Sequence, residues 1–447
     1  MSSPAGRSLV VPSDTDRSDA TVATGARAAS AISASPGAAG LTSRLLLGFS
    51  SLTGGLGAAL LPFLAVLTLA IRDYGAFSLV YLVFAEGWSV VLSAVCDTWA
   101  RLRGEGRSAG RWADYAGALA AVCAASAVVT FAAGWAVFGG LLPALAMAVA
   151  TGAALYRQGA RYHHAVDRGP RAVVPSDIVA IVVLVVALVA FQQAGQPLLT
   201  SLLCAWAISS VAAAVFFLPG ALGGGGIVAW CRRNGRTVRA LLSESLMMDA
   251  GAAGTPVLLA PILGLHNFGI YRSMSSLSVP VQLLIDPVRP NLSQIPLRRV
   301  TSVRVVGTLF AVGGLLGGTA YLALAFVVPV VLSFSPVLTA LSSFAVPCGL
   351  FLCLQFLTYV FNIFARMHVS PRRLILGRVF HTVFAIALPI TGAVVGSVTG
   401  AIWCYVSTTG LTVALWLGLL LLGRRRPGSD GPTGHAEAPE QAATAAR

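Results

Sequence analysis

Between residues 272 and 289, Arg272, Ser275, Ser278, Gln282, Asp286 and Arg289 recur at steps of three and four, which puts six polar side chains on one face of a helix. Apolar residues such as Leu277, Leu283, Leu284 and Ile285 fill the rest of it. In a segment this hydrophobic an ionisable group is costly and faces a cavity or a partner, so the stripe calls for water or a polar solute beside it. The alternative is a local i,i+3 ion pair between Asp286 and Arg289, with serines that only let helices pack closely. An earlier segment carries Glu86, Ser89, Ser93 and Asp97 on one face, and at ~1.5 Å per residue Glu86 falls roughly 15 Å from the segment's end. No base on that segment can neutralise Glu86, which must be protonated, paired across helices or in a wet cavity. Asp249 lies roughly 13 Å along the helix from Ala240, with Glu244 nearer the end. Gln355, Tyr359 and Asn362 at i, i+4, i+7, and Arg378 and His381 at i, i+3, add polar groups to two later segments. Together these residues suggest a central, partly hydrated path of mixed charge; helix–helix hydrogen bonding is the plainer reading, and the preferred one for His381. His163 and His164 are placed in a loop and given no role.

The chemistry implied is solute recognition, without covalent catalysis. No GxxxxGK[ST] cradles a nucleotide phosphate and no HExxH occurs, so no catalytic residue, cofactor or metal is expected. The seven cysteines, Cys96, Cys123, Cys204, Cys231, Cys348, Cys353 and Cys404, lie in or beside apolar runs without CxxC pairs and read as small apolar residues.

The elements that must hold these groups follow from composition. Of 447 residues 56% are hydrophobic and 10% charged, with a mean hydropathy of +0.82, which is the composition of a chain solvated mainly by lipid. The net charge of +14 does not imply nucleic acid, because the arginines come in small groups between hydrophobic runs instead of on one soluble face. A span needs roughly 20 apolar residues. Twelve such runs are predicted, at 45–71, 76–98, 112–137, 139–156, 173–194, 198–222, 240–263, 268–288, 305–333, 337–365, 376–398 and 399–423. Pro62, Pro256, Pro261, Pro280 and Pro389 fall inside them and are expected to kink, not break, the helices.

Arginine groups alternate with these runs. They precede span 1, fill loops 2/3, 4/5, 6/7, 8/9 and 10/11, and close span 12, while the intervening loops hold only Arg72, with Arg272 just inside span 8. By the positive-inside rule both termini are cytoplasmic and the outer loops are a few residues long, too short for the catalytic loops of membrane glycosyltransferases. The expected organisation is a disordered tail 1–40, a six-helix bundle 41–222, a cytoplasmic linker 223–239, a second bundle 240–423 and a disordered tail 424–447, in the plasma membrane.

Tyr74-Gly75-Ala76-Phe77-Ser78, opening span 2, and Phe268-Gly269-Ile270-Tyr271-Arg272, opening span 8, share the pattern aromatic-Gly-x-aromatic-polar. Their equal place in two six-helix halves predicts an internal repeat about an axis along the membrane normal, with the glycine turning the chain between helices.

On these turns, on the stretch from Gly264 to Arg272 leading to Pro280, and on the two halves, the chain resembles the polysaccharide flippases of the multidrug/oligosaccharidyl-lipid/polysaccharide exporter superfamily over roughly residues 40–425. The resemblance implies an all-α, MATE/flippase-like fold of two bundles forming a V around a cavity that opens alternately to each side. It also implies a lipid-linked oligosaccharide whose anionic head crosses a cationic cavity, with polysaccharide-assembly enzymes as partners beside the bilayer itself. Carried to this chain, Arg272, Arg289 and Arg378 are candidate head-group contacts, with Ser275, Ser278, Gln282, Asp286, Gln355 and Asn362 beside them, and Glu86 and Asp249 are candidate coupling or gating acids. Where family members often carry an acid later in span 7, this chain has Thr255-Pro256. A cation-coupled exporter of small drugs or natural products shares the fold and is the runner-up; a non-transporting membrane scaffold is the reading from another class.

Overall fold

The computed structural model describes residues 53, 57, 59–104, 111–218, 226–279, 281, 285 and 295–424, all within one compact unit, Thr53–Arg447. Both tails, most of the start of span 1, and Pro280, Gln282, Asp286 and Arg289 lie outside the described residues. The described chain is helical almost throughout and contains no strand. Twelve helices follow the predicted runs: α1 (Ala59–Thr68), α2 (Ile71–Arg103), α3 (Trp112–Phe138), α4 (Leu141–Asp167), α5 (Val174–Gln193), α6 (Leu198–Phe217), α7 (226–263), α8 (265–276, with helical residues again at 279, 281 and 285), α9 (Val303–Val331), α10 (Ala345–His368), α11 (371–395) and α12 (398–424). Judged by length and composition alone, eight helical stretches among the described residues are apolar enough to cross a membrane, and one of these, Arg372–Gly423, is the α11–α12 pair.

Local chemistry sets the ends. Gly139 stops α3 at φ 67° and returns its N–H to Trp135, Ser302 caps α9 by accepting from the Val305 N–H, and Pro175 sits in the first turn of α5. The run predicted as span 10 splits in two, because Ser335 caps a separate short helix, Pro336–Ser342, before α10 begins. Helix 2 widens to π geometry over Leu92–Asp97, where Thr98 Oγ1 donates to the Ser93 carbonyl, and α9 does so over Ala323–Val327, just ahead of Pro329.

One buried core gathers α1–α6, from Leu61 to Phe217, and two more gather residues from Leu259 to Leu420 in the second half. The stretch 223–239, expected to be a linker, is helical from Gly226 and forms the first turns of α7. Trp230 and Val238 bury there against the first core, with Trp230 Nε1 donating to the Ala94 carbonyl at 3.0 Å, while Arg232, Arg233, Arg236 and Arg239 face outward. The arginine-bearing loops of the first half meet at one end: Arg103 pairs with Asp167 at 3.2 Å and Arg233 with Asp114 at 3.3 Å.

His163 and His164 also depart from expectation. They lie on the last turns of α4, buried among Trp99, Trp112, Tyr115 and Phe217. Beyond the predicted end of span 4, burial pushes the His163 imidazole down to about 4, so it packs as a neutral ring. On the same helix Arg157 and Arg161 reach Asp177 in the first turn of α5, at 3.0 and 2.9 Å. The Asp177 side chain is wholly buried and also accepts from Thr53 Oγ1 at 3.4 Å.

The repeat glycines have a different role from the one expected. The chain turns at Leu69–Ala70 and at Gly264, whose φ is 71°, while Gly75 and Gly269 lie inside α2 and α8. They face each other. A Cβ on Gly75 would lie 3.2 Å from the Gly269 nitrogen and closer still to the Leu265 carbonyl; a Cβ on Gly269 would lie 3.2 Å from the Gly75 nitrogen and closer still to the Ile71 carbonyl. Each glycine thus meets its counterpart and the residue four before it, the reciprocity a two-fold axis between the halves requires. Tyr74 and Ser276 add a hydrogen bond of 3.0 Å across the same crossing.

Gly75→Leu or Gly269→Leu should therefore force α2 and α8 apart and lower the thermal midpoint in detergent, an overpacking cost of ~1–3 kcal/mol or more. Gly314→Ala on α9, where an added Cβ meets nothing within 4 Å, should leave it unchanged or higher. Asp177→Ala leaves Arg157 buried without its counter-charge and should cost ~3–5 kcal/mol by the same measurement. Asp177→Leu combined with Arg157→Met should restore most of that loss.

Candidate functional site

Gly264 redirects the chain so that α8 presents Tyr271, Arg272 and Ser275 to the interior of the second half. There they meet Gln355, Thr358, Tyr359 and Asn362 on α10, Thr255 and Pro256 on α7, His381 and Thr382 on α11, and Tyr405, Thr408, Thr409 and Thr412 on α12. These residues enclose a cavity of about 280 Å³. Its wall is ordered by internal bonds: Thr255 Oγ1 donates to the Ala385 carbonyl at 2.9 Å, His381 Nδ1 and Thr412 Oγ1 are 2.8 Å apart, and the Tyr405 ring packs on Tyr271 and Phe351.

The lining carries one guanidinium and no carboxylate among the described residues. Arg272 Nη1 donates to Ser275 Oγ at 3.2 Å, and no acid among the described residues pairs with it. Ser275 in turn donates to the Arg272 carbonyl at 2.7 Å. Thr358 Oγ1 and Asn362 Oδ1 are buried and lack a hydrogen-bond partner among the described residues. A half-buried cation without a counter-charge among the described residues, beside an unsatisfied hydroxyl and an unsatisfied amide oxygen, favours something polar and negative in the space. The site can thus hold an anion whose remaining surface offers hydrogen-bond donors.

Of the residues expected at a substrate site, Arg272, Ser275, Gln355 and Asn362 come together here. Ser278 is buried one turn on and donates to the Ser275 carbonyl at 2.8 Å, so it supports α8 without lining the cavity. Arg378 sits one turn from His381 on α11, near enough for its charge to act on that ring, but does not line the cavity. Glu86 and Asp249 lie elsewhere, at the crossing of α2 and α7. Asp249 accepts hydrogen bonds from Ser89 and, at 3.2 Å, from Ser245, and Glu86 is close enough to feel its charge. The Ser89–Asp249 bond thus ties the polar face of α2 to α7.

Thr358, Thr382, Tyr405 and the α12 threonines were not singled out by the sequence, and Thr255 and Tyr271 were noted there without a place in a cavity. The spacing of Thr408, Thr409 and Thr412 was the available signal. Hydroxyls of this kind satisfy themselves on the carbonyl four residues back in any membrane helix, as Thr408 does on Cys404 and Thr412 on Thr408, so they do not stand out as a site.

No protein-family model and no curated protein sequence matches the chain. Among solved structures it is similar to the lipid II flippase MurJ in an inward closed conformation, with a TM-score of 0.58 and 9% identity over 85% of this chain and 87% of that one. It is also similar to the MATE transporter VcmN of Vibrio cholerae, with a TM-score of 0.56 and 11% identity over 86% of this chain and 97% of that one. An outward-facing multidrug resistance MATE family transporter of the MOP superfamily gives a TM-score of 0.50 and 13% identity over 85% and 94%. At such identities the likeness is one of architecture: the chain has the fold that MATE transporters share with the lipid II flippase.

Proposed function

We propose that the chain is an alternating-access transporter of the plasma membrane that flips or exports a lipid-linked oligosaccharide or polysaccharide precursor. The observation that carries this reading is the cavity around Arg272, cationic, rich in hydroxyl and amide groups, and free of carboxylates among its described lining. A diphosphate or acidic sugar satisfies the guanidinium through charge-assisted bonds, and sugar hydroxyls donate to groups such as Asn362 Oδ1. The fold supports it, since one solved structure of this architecture is named a lipid II flippase. The arginine-rich loops support a cytoplasmic position for both termini, the side from which polysaccharide-assembly enzymes would deliver such a substrate.

A second reading, a cation-coupled exporter of small drugs or natural products, is favoured by the acids near the α2–α7 crossing, where Asp249 bonds Ser89 one turn from Glu86. The two readings separate in liposomes. The native chain should translocate lipid-linked sugar and leave a cationic dye unmoved. Because a hydrogen bond from a charged donor contributes ~1.5–3 kcal/mol, Arg272→Ala should lower translocation roughly ten- to hundredfold without changing the thermal midpoint. Dye uptake that follows an ion gradient, with lipid-linked sugar unmoved, would overturn the first reading in favour of the second.

A further inference from the structure

A second, apolar groove lies against the cavity on the outer surface of α11 and α12. It is lined by Phe380, Phe384, Leu411 and Leu415, with His381 and Thr412 at its floor, and has a volume of about 280 Å³. His381 and Thr412 also line the Arg272 cavity, so the hydrogen bond between them, 2.8 Å long, lies in the wall the two spaces share.

The packing of the two helices explains why a groove opens here. At the Gly396–Ser397 turn they are in backbone contact, a Cβ on Gly392 colliding with the Gly400 carbonyl and one on Gly400 with the Gly392 carbonyl. At their other end Trp416 and Leu419 fill the space over Gly377. Between these contacts the facing residues are large outward-pointing apolar side chains, Phe380 47%, Phe384 38% and Leu411 48% exposed. In a chain this apolar the medium around them is hydrocarbon.

We infer that this seam is a lateral entrance for a lipid-borne substrate: the alkyl chain lies in the groove between α11 and α12, and the anionic head passes between His381 and Thr412 to Arg272. The argument rests on the lipid-linked substrate proposed above and adds the route. Three features point the same way. The groove is apolar where a chain must leave its head, and the cavity behind it is cationic where the head must settle. Thr358 and Asn362, whose Oγ1 and Oδ1 lack a hydrogen-bond partner among the described residues, form the α10 wall of that cavity. The barrier between the two spaces is held by two hydrogen bonds between α11 and α12, His381 Nδ1 with Thr412 Oγ1 at 2.8 Å and Thr408 Oγ1 donating to the Phe384 carbonyl at 3.3 Å, and neither is an ion pair.

The test uses the full chain in liposomes containing phosphatidylglycerol and a polyprenyl-diphosphate-linked monosaccharide. A benzophenone side chain replacing Leu411 should crosslink the labelled lipid-linked sugar, in competition with unlabelled lipid-linked sugar and not with added phosphatidylglycerol. One replacing Leu421, an exposed α12 residue away from the groove, should not. Leu411→Trp, which fills the groove, should raise the half-saturating concentration for transport by about tenfold, equivalent to ~1.4 kcal/mol, whereas Leu421→Trp should match the native chain. Equal crosslinking at the two positions, competition by phosphatidylglycerol, or native transport by Leu411→Trp would each overturn the entrance while leaving the transport reading intact. If Leu411→Trp does not fold, crosslinking from Phe380 decides by the same criteria. A native chain that leaves the lipid-linked sugar unmoved overturns the transport reading instead.

Discussion

Hydrocarbon offers no partner to a peptide N–H or C=O, and every polar group carried into it must find one inside the protein. The backbone meets this demand by being helical almost throughout. Most hydroxyl side chains meet it by bonding to the carbonyl three or four residues back, as Ser78, Thr130, Thr391 and Ser407 do. Two arginines, Arg157 buried and Arg272 half-buried, show the two ways a charge can comply. Arg157 is matched by Asp177 within the protein. Arg272 is matched by no described acid and faces an open space instead, so its charge is completed by whatever that space admits. One arginine is held within a bundle; the other lines a cavity.

Because lipid does not drive apolar helices together, the contacts between them depend on how closely backbones can approach. Glycines supply that approach at Gly317 against Gly349, at Gly392 against Gly400 and at Gly75 against Gly269. Where glycines give way to larger residues the helices part. The groove between α11 and α12 is such a place, bounded at one end by glycine contact and at the other by Trp416 and Leu419 over Gly377.

The architecture was legible in the sequence because membrane helices announce themselves by composition over some twenty residues, and short loops leave little room for error. The polar stripe was legible in part: Arg272, Ser275, Gln355 and Asn362 were found from spacing alone and converge in space. The spacing could not say which stripe faces which, and so grouped Glu86 and Asp249 with residues of a separate site. A helix does not end where its apolar run ends, so the sequence placed His163, His164 and Arg232 in loops although α4 and α7 continue past the apolar stretch. Asp177 drew no notice for a related reason: near the end of an apolar run a lone acid reads as a loop residue until the arginines of the preceding helix are seen to reach it. Gly75 and Gly269 were recognised as equivalent, but a glycine used for a turn and one used for close contact look the same in sequence.

The reciprocity at that crossing has a consequence for how the halves relate. Gly75 meets Leu265 and Gly269 in the second half, and Gly269 meets their counterparts Ile71 and Gly75 in the first, which is the geometry of an isologous dimer interface. A single six-helix half therefore carries, in one short motif, the surface by which a second copy of itself would dock. Joining two such halves into one chain adds a tether without changing the contact. It also frees the two to diverge, so that one half can hold a buried ion pair and the other an open arginine while the seam between them stays self-complementary.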